Sequence, residues 1–177
     1  VAIKEEYNDN ILSTASGAYR DFYTTVSPGL SFLEKTERLT IDLSGRADRR
    51  VYSKYSEFNA TDQFYDGKGG YSVTERLGIT GKASYSKDSR PDRDLETTGL
   101  TYTGVTRYRQ AYGFGVNYLL SEILLGTFQY DYLNDTYDDW RYTDLEAHAF
   151  NMGVVHDLSY FAQKTQARMN VGYARYN

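Results

Sequence analysis

Two histidines are the first residues in this chain with acid–base chemistry to offer, and the sequence gives neither a partner that would use it. His148 follows Asp144 and Glu146 at strand spacing, so the three share one face of an extended segment. A protease or acyl hydrolase needs such a group to activate water or a serine. Yet His148 also shares its parity with Phe150, Met152 and Val154, an apolar set, and no placed nucleophile accompanies it. His156 stands beside Asp157 in what reads as a short turn. There is no cysteine, which rules out disulfides, thiolate nucleophiles and zinc–thiolate sites. The chain lacks a His-Glu-x-x-His spacing and a phosphate-binding glycine loop. The acidic run Asn134-Asp135-Thr136-Tyr137-Asp138-Asp139 lacks the glycine and terminal glutamate of a calcium loop and reads as solvated. The expectation is a protein that is not an enzyme and carries no cofactor or metal.

A second set of charges has a period of two. Asp42, Arg46 and Asp48 alternate with Leu39, Ile41 and Leu43. Lys68 alternates with Gly67, Gly69 and Tyr71, and Lys82 with Leu77, Ile79, Gly81 and Ala83. Arg107 and Arg109 share parity across from Tyr112, Phe114 and Val116, and Asp131 stands across from Phe128 and Tyr130. Alternation of this kind makes a strand with one polar and one apolar face. The apolar stripe from Leu39 to Ala47 covers about nine residues, the length a tilted strand needs to cross hydrocarbon. Leu39, Ile41, Leu43, Leu77, Ile79, Phe114, Val116 and Phe128 are therefore expected to face lipid. Asp42, Arg46, Asp48, Lys68, Lys82, Arg107, Arg109 and Asp131 are expected to line a polar lumen. In a wide barrel these charges would set the field along a water channel. In a narrow one they would pair and fill it.

The elements that position these faces follow a rhythm. Lys35-Thr36-Glu37-Arg38-Leu39-Thr40-Ile41 recurs as Val73-Thr74-Glu75-Arg76-Leu77-Gly78-Ile79, with a fainter echo at Leu120-Ser121-Glu122-Ile123-Leu124. Between these short turns lie long polar connections over 8–20, 54–62, 87–98 and 134–143. They are rich in Asp, Asn, Ser, Gly and Arg, and the charged stretch 87–94 is expected to be solvated. Short turns on one side and long loops on the other is the plan of an outer-membrane β-barrel. Strands are expected at 1–7, 21–32 and 40–50 and on either side of the later turns, about nine or ten in all. Phe22 and Phe32 place an aromatic at each end of one apolar face, and Pro28 predicts a bulge or sheet edge between them.

Composition agrees. Nineteen of the 177 residues are Tyr, with eight Phe and one Trp, and rings suit both strands and membrane interfaces. No apolar run reaches the roughly 20 residues of a helical span. A mean hydropathy of -0.64 is compatible with a barrel, because half of each strand faces a polar lumen. Net charge is -4 and the isoelectric point about 5.2, which excludes a basic nucleic-acid footprint. Val1-Ala2-Ile3-Lys4 is strand-like rather than a signal peptide, so a signal has been removed or the chain is a cut piece.

The opening Glu5-Glu6-Tyr7-Asn8-Asp9-Asn10-Ile11 and the segment Thr24-Thr25-Val26-Ser27-Pro28-Gly29-Leu30 resemble the start of the Putative β-barrel porin 2 family. The Thr-Glu-Arg-Leu turns and Ala83-Ser84-Tyr85-Ser86-Lys87-Asp88-Ser89-Arg90 are similar to its hairpins. The resemblance implies an all-β, transmembrane, antiparallel up-and-down barrel in the outer membrane of a Gram-negative bacterium. It implies no shared catalytic set. The chain is expected to form one domain over 1–177 and to be part of a larger barrel, with a small closed barrel as the alternative. The chain does not end in the aromatic-terminated strand of a finished barrel.

Function is expected to be a passive porin-like channel. Its partners would be outer-membrane lipid and small solutes or ions, with no nucleic acid and an oligomeric state left open. The alternatives are a plugged structural or adhesive barrel working through its long loops, and a soluble lipid-binding barrel with the apolar stripes inside. Nothing resembles the Gly-x-Trp opening of lipocalins, and Trp140 lies in a loop. Leu43→Arg is predicted to block membrane insertion, costing roughly 2–4 kcal/mol near the midplane, while Ser44→Arg is tolerated. Folding yield into lipid vesicles measures the difference, and equal damage from both would contradict the assigned faces.

Overall fold

The computed structural model describes residues 1–13, 17–94, 99, 101 and 104–177. Parts of two expected long connections, 14–16 and 95–98, lie outside the described residues. Ten strands form one antiparallel sheet: β1 (Ala2–Asn8), β2 (Asp21–Ser27), β3 (Gly29–Lys35), β4 (Leu39–Tyr52), β5 (Ala60–Ser72), β6 (Leu77–Asp88), β7 (Arg107–Ser121), β8 (Leu124–Tyr137), β9 (Leu145–Asp157) and β10 (Gln166–Tyr176). The order is β1-β2-β4-β5-β6-β7-β8-β9-β10, with β3 beside β4. Every neighbour is antiparallel, the up-and-down arrangement the turn rhythm implies.

The repeated Thr-Glu-Arg-Leu turn has a local cause. The Thr36 hydroxyl accepts the Leu39 N–H at 3.0 Å, and the Thr74 hydroxyl accepts the Leu77 N–H at 2.9 Å. A threonine side chain that takes a backbone donor three residues on closes a tight turn without glycine. The sheet therefore reverses at 36–38, 73–76 and 122–123. The fourth reversal on this side, 158–165, is longer than the rhythm suggests. On the opposite side the connections are 9–20, 53–59, 89–106 and 138–144.

Several expected boundaries move. Pro28 does interrupt the strand, but β2 and β3 pair with β4 in a single register, with Val26 opposite Arg49 and Gly29 opposite Arg46. No bulge forms. The Pro28 carbonyl still accepts the Ala47 N–H at 3.0 Å, so the ring removes one donor and leaves the alignment intact. The edge expectation fits better, because β1 runs beside β2 and β3 has β4 as its one neighbour. Asp62 belongs to β5 and residues 134–137 to β8, so two long connections are shorter than their composition suggests. His156 lies within β9, not in a turn.

The sheet is a single layer with two unlike faces. On the apolar face, Leu39, Tyr71, Ile79, Val116, Phe128, Met152 and Val171 are successive register partners across β4–β10. The neighbouring row contains Ile41, Phe114, Tyr130, Phe150 and Tyr173, with Gly69 and Gly81 between them. Toward the loop end, Tyr65 stacks on Tyr85 and Tyr112 on Tyr132. Toward the turn end stand Tyr71 and Tyr118. Phe22 and Phe32 are exposed on this same face. This is an apolar band between two aromatic belts.

Among the described residues the buried hydrophobic side chains are Ile11, Tyr52 and Val105, all at the loop end. Leu43, Phe114, Met152, Val154, Met169 and Val171 are exposed. A water-soluble sheet would bury such a face. The two end strands, β1 and β10, are not paired with each other. Refolded alone in detergent, the 177-residue chain should therefore give no compact, heat-sensitive band when boiled and unboiled samples are compared on a gel. A heat-dependent shift would show that these edges close on themselves.

Candidate functional site

The polar face carries the charges that the alternation singled out. By register, all eight expected lumen residues lie on this one face. Asp42, Lys68, Lys82, Gly113 and Asp131 are consecutive partners across β4–β8, near mid-strand. Lys82 Nζ reaches Asp131 at 2.9 Å by passing over Gly113. A Cβ on Gly113 would lie 2.7 Å from Asp131 Oδ1 and closer still to Lys82 Cε, so glycine is what lets this bridge skip a strand. Gly70, Gly113 and Gly115 floor a recess of about 430 Å³ on this face, walled by Thr40, Asp42, Lys68, Thr80, Lys82 and Gln129.

A second row, closer to the loop end, runs Arg46, Phe64, Ser86, Arg109 and Asp135. Arg46 pairs with Asp48 at 3.1 Å and Arg109 with Asp135. Arg107, the remaining expected lumen residue, bonds Asp94 of the 89–106 connection with Nη1 3.0 Å from both carboxylate oxygens.

At the loop end itself the structure departs from the sequence expectation. The stretch 87–94, expected to be solvated, is clamped down. Asp62 and Asp88 are 1% and 3% exposed. Asp62 accepts from Arg50 at 2.6 Å, from the Ser89 N–H at 2.8 Å and from the Ser89 hydroxyl at 2.7 Å. Asp88 binds Arg90 through two guanidinium nitrogens and its backbone N–H, and the shared hydrogen bonds raise the Arg90 pKa above its ordinary value. Arg93 donates to the Val105 carbonyl at 2.6 Å. Asp21 takes the Lys54 and Tyr55 N–H groups and so holds the 53–59 connection. Asp138 takes the Thr106 N–H. Buried charges survive only when they are satisfied: Asp62 and Asp88 are bridged by arginines, and Asp21 is held by backbone N–H groups.

The acidic run 134–139, expected to be solvated, is likewise structural. Asp135 is buried against Arg109. Asp139 holds Arg141, whose hydrogen bonds push the Asp139 carboxyl down to about 2, so that bridge persists at any pH above roughly 4. No metal-ligand cluster occurs among the described residues. His148 keeps the apolar parity that its spacing indicates. It meets the Tyr130 hydroxyl at 2.8 Å and Glu146 at 3.1 Å, with Tyr132 beside its ring.

Sequence reasoning missed Asp21, Asp62, Asp88 and Asp135 as a set. A signal was available: each has polar-face parity and sits at the loop end of its strand, near an arginine or a loop N–H.

A model of the family described as Putative beta-barrel porin 2 matches residues 1–114. The chain belongs to that family. No curated protein matches it. Among solved structures the chain is similar to OmpT, an outer membrane protein of Vibrio cholerae. A loop L8 deletion mutant gives a TM-score of 0.58 at 12% identity, over 89% of this chain and 48% of that one. In-vitro folded OmpT in its trimer form gives 0.56 at 12% identity, over 96% and 45%. The likeness establishes the fold, that of an outer-membrane β-barrel. The porin spans less than half the length of the barrels it matches. It is a protein of the Gram-negative outer membrane, and the soluble lipid-carrier alternative is thereby set aside.

Asp62→Ala should destabilise the folded porin by roughly 3–5 kcal/mol, because it strands the Arg50 guanidinium. Denaturant unfolding from vesicles measures this. The same variant should become cleavable by trypsin after Arg93, whose side chain is fully buried and where the parent should resist. Unchanged protection would contradict the stapling role.

Proposed function

We propose that the porin forms part of the wall of a passive diffusion channel, its sheet belonging to a larger barrel whose polar face lines the lumen. One observation carries this reading: a single-layer sheet presents a mid-strand apolar band on one side and a row of charges on the other. Asp42, Arg46, Asp48, Lys68, Lys82, Arg107, Arg109 and Asp131 are then lumen residues. Leu39, Ile41, Leu43, Leu77, Ile79, Phe114, Val116 and Phe128 contact lipid. Small solutes or ions cross by diffusion, with no cofactor and no chemical step. Rings of charge at the level of Asp42 and Arg46 bias which ions enter.

One observation favours a plugged barrel as the second reading. Ile11 and Val105, from two different long connections, are buried together with Tyr52 at the end of β4. Connections packed in this way narrow the loop-side mouth. Conductance separates the two. The native protein, purified from outer membranes and added to planar bilayers, should produce persistent stepwise currents without any added substrate. A folded, heat-modifiable protein that stays electrically silent would favour the plugged barrel.

A further inference from the structure

Phe64 is out of place. It is an aromatic residue on the polar face, with Asp62, Asp66 and Lys68 as its same-face neighbours along β5. Its surroundings explain it. The Arg46 guanidinium carbon lies 4.8 Å from the ring centroid and that of Arg90 lies 5.6 Å away. Arg46 comes from β4 and Arg90 from the 89–106 connection, so one ring gathers two cations from separate parts of the chain. Arg109 continues the same row beyond Ser86.

Each of these arginines is tied to an aspartate, and the pairs share one polarity. The arginine side chains of the Arg46–Asp48, Arg90–Asp88 and Arg109–Asp135 pairs are 53%, 44% and 39% exposed. Their aspartates are 18%, 4% and 4% exposed. The negative ends are sunk beneath the positive ends. Asp48 engages Arg46 through Nε, and Asp88 and Asp135 engage Nε and Nη2 of their partners. Among the described residues, both Nη groups of Arg46 and the Nη1 groups of Arg90 and Arg109 are in no hydrogen bond or ion pair. A guanidinium oriented by a sunken carboxylate and retaining free N–H donors is prepared to take an oxyanion.

We propose that Arg46, Arg90 and Arg109, arranged around Phe64, form an anion-binding station at the loop-side mouth of the lumen, for small solutes bearing carboxylate or phosphate oxygens. The inference rests on the channel reading and deepens it: the solutes drawn into the pore are anionic. Field focusing at such a mouth raises the local concentration of anions before they enter.

The test is current block by inorganic pyrophosphate in planar bilayers, using the native protein and two variants. Ser86→Glu places an anion within the row while leaving all three bridges intact. Arg46→Gln removes the most exposed of the three cations and leaves behind an aspartate that water still reaches. Pyrophosphate added on the loop side should reduce the parent current, and both variants should need at least tenfold more of it for the same block. Parent current that ignores pyrophosphate, or equal block in all three proteins, would overturn the station while leaving the channel standing. A folded parent that never conducts would overturn both.

Discussion

Hydrocarbon offers no water to a free N–H or C=O, and that constraint organises the rest of this outer-membrane sheet. The backbone answers with long antiparallel ladders, each strand of β4–β9 bonded on both sides. Once the ladders are fixed, side chains have only two directions to point. The apolar face goes to lipid because Leu, Ile, Val, Phe and Met lose nothing there. The polar face carries the mid-strand charges Asp42, Lys68, Lys82 and Asp131, while charges of apolar parity such as Glu34, Arg49, Lys87 and Glu146 stand toward strand ends. The absence of a conventional core follows from the same constraint, since the solvent for the apolar face is the bilayer itself.

Charges forced onto one face create a second problem, which the glycines and aspartates solve. Near mid-strand, Gly113 clears a path for Lys82 to reach Asp131 across an intervening strand. At the loop end, the buried Asp62 and Asp21 and the exposed Asp138 bond backbone N–H groups of the connections. Asp62 holds Ser89, Asp21 holds residues 54 and 55, and Asp138 holds Thr106. The long connections are thus anchored by neighbouring strands and by one another. Charge pairing at this end does two jobs at once. It satisfies buried carboxylates, and it leaves arginines as the groups that meet solution.

The fold was legible from parity. The faces of β4, β5, β6, β7 and β8 follow from alternation in the sequence, and a period of two survives any error in strand ends. The Thr-Glu-Arg-Leu repeat located two turns because a threonine hydroxyl caps both in the same way. What the sequence hid was burial within polar segments. Stretch 87–94 has the composition of a solvated loop, yet Ser89 is held by Asp62 and Arg93 by the Val105 carbonyl, partners far away in sequence. Composition records a tendency toward water and is blind to a partner that arrives through tertiary structure. Phe64 was unreadable for the same reason, since the guanidinium of Arg90 reaches it from a connection 26 positions on.

The central claim is that one face of this sheet meets lipid and the other meets water. These 177 residues hold no cysteine, so single cysteines introduced at each position from Leu39 to Asp48 are the labelling sites of this sheet. Spin labels at these sites, read for collision with oxygen and with a water-soluble nickel complex in reconstituted vesicles, measure the claim directly. The account predicts a strict alternation, with oxygen favoured at 39, 41 and 43 and nickel favoured at 40, 42 and 44. Equal accessibility to nickel at both parities would contradict it.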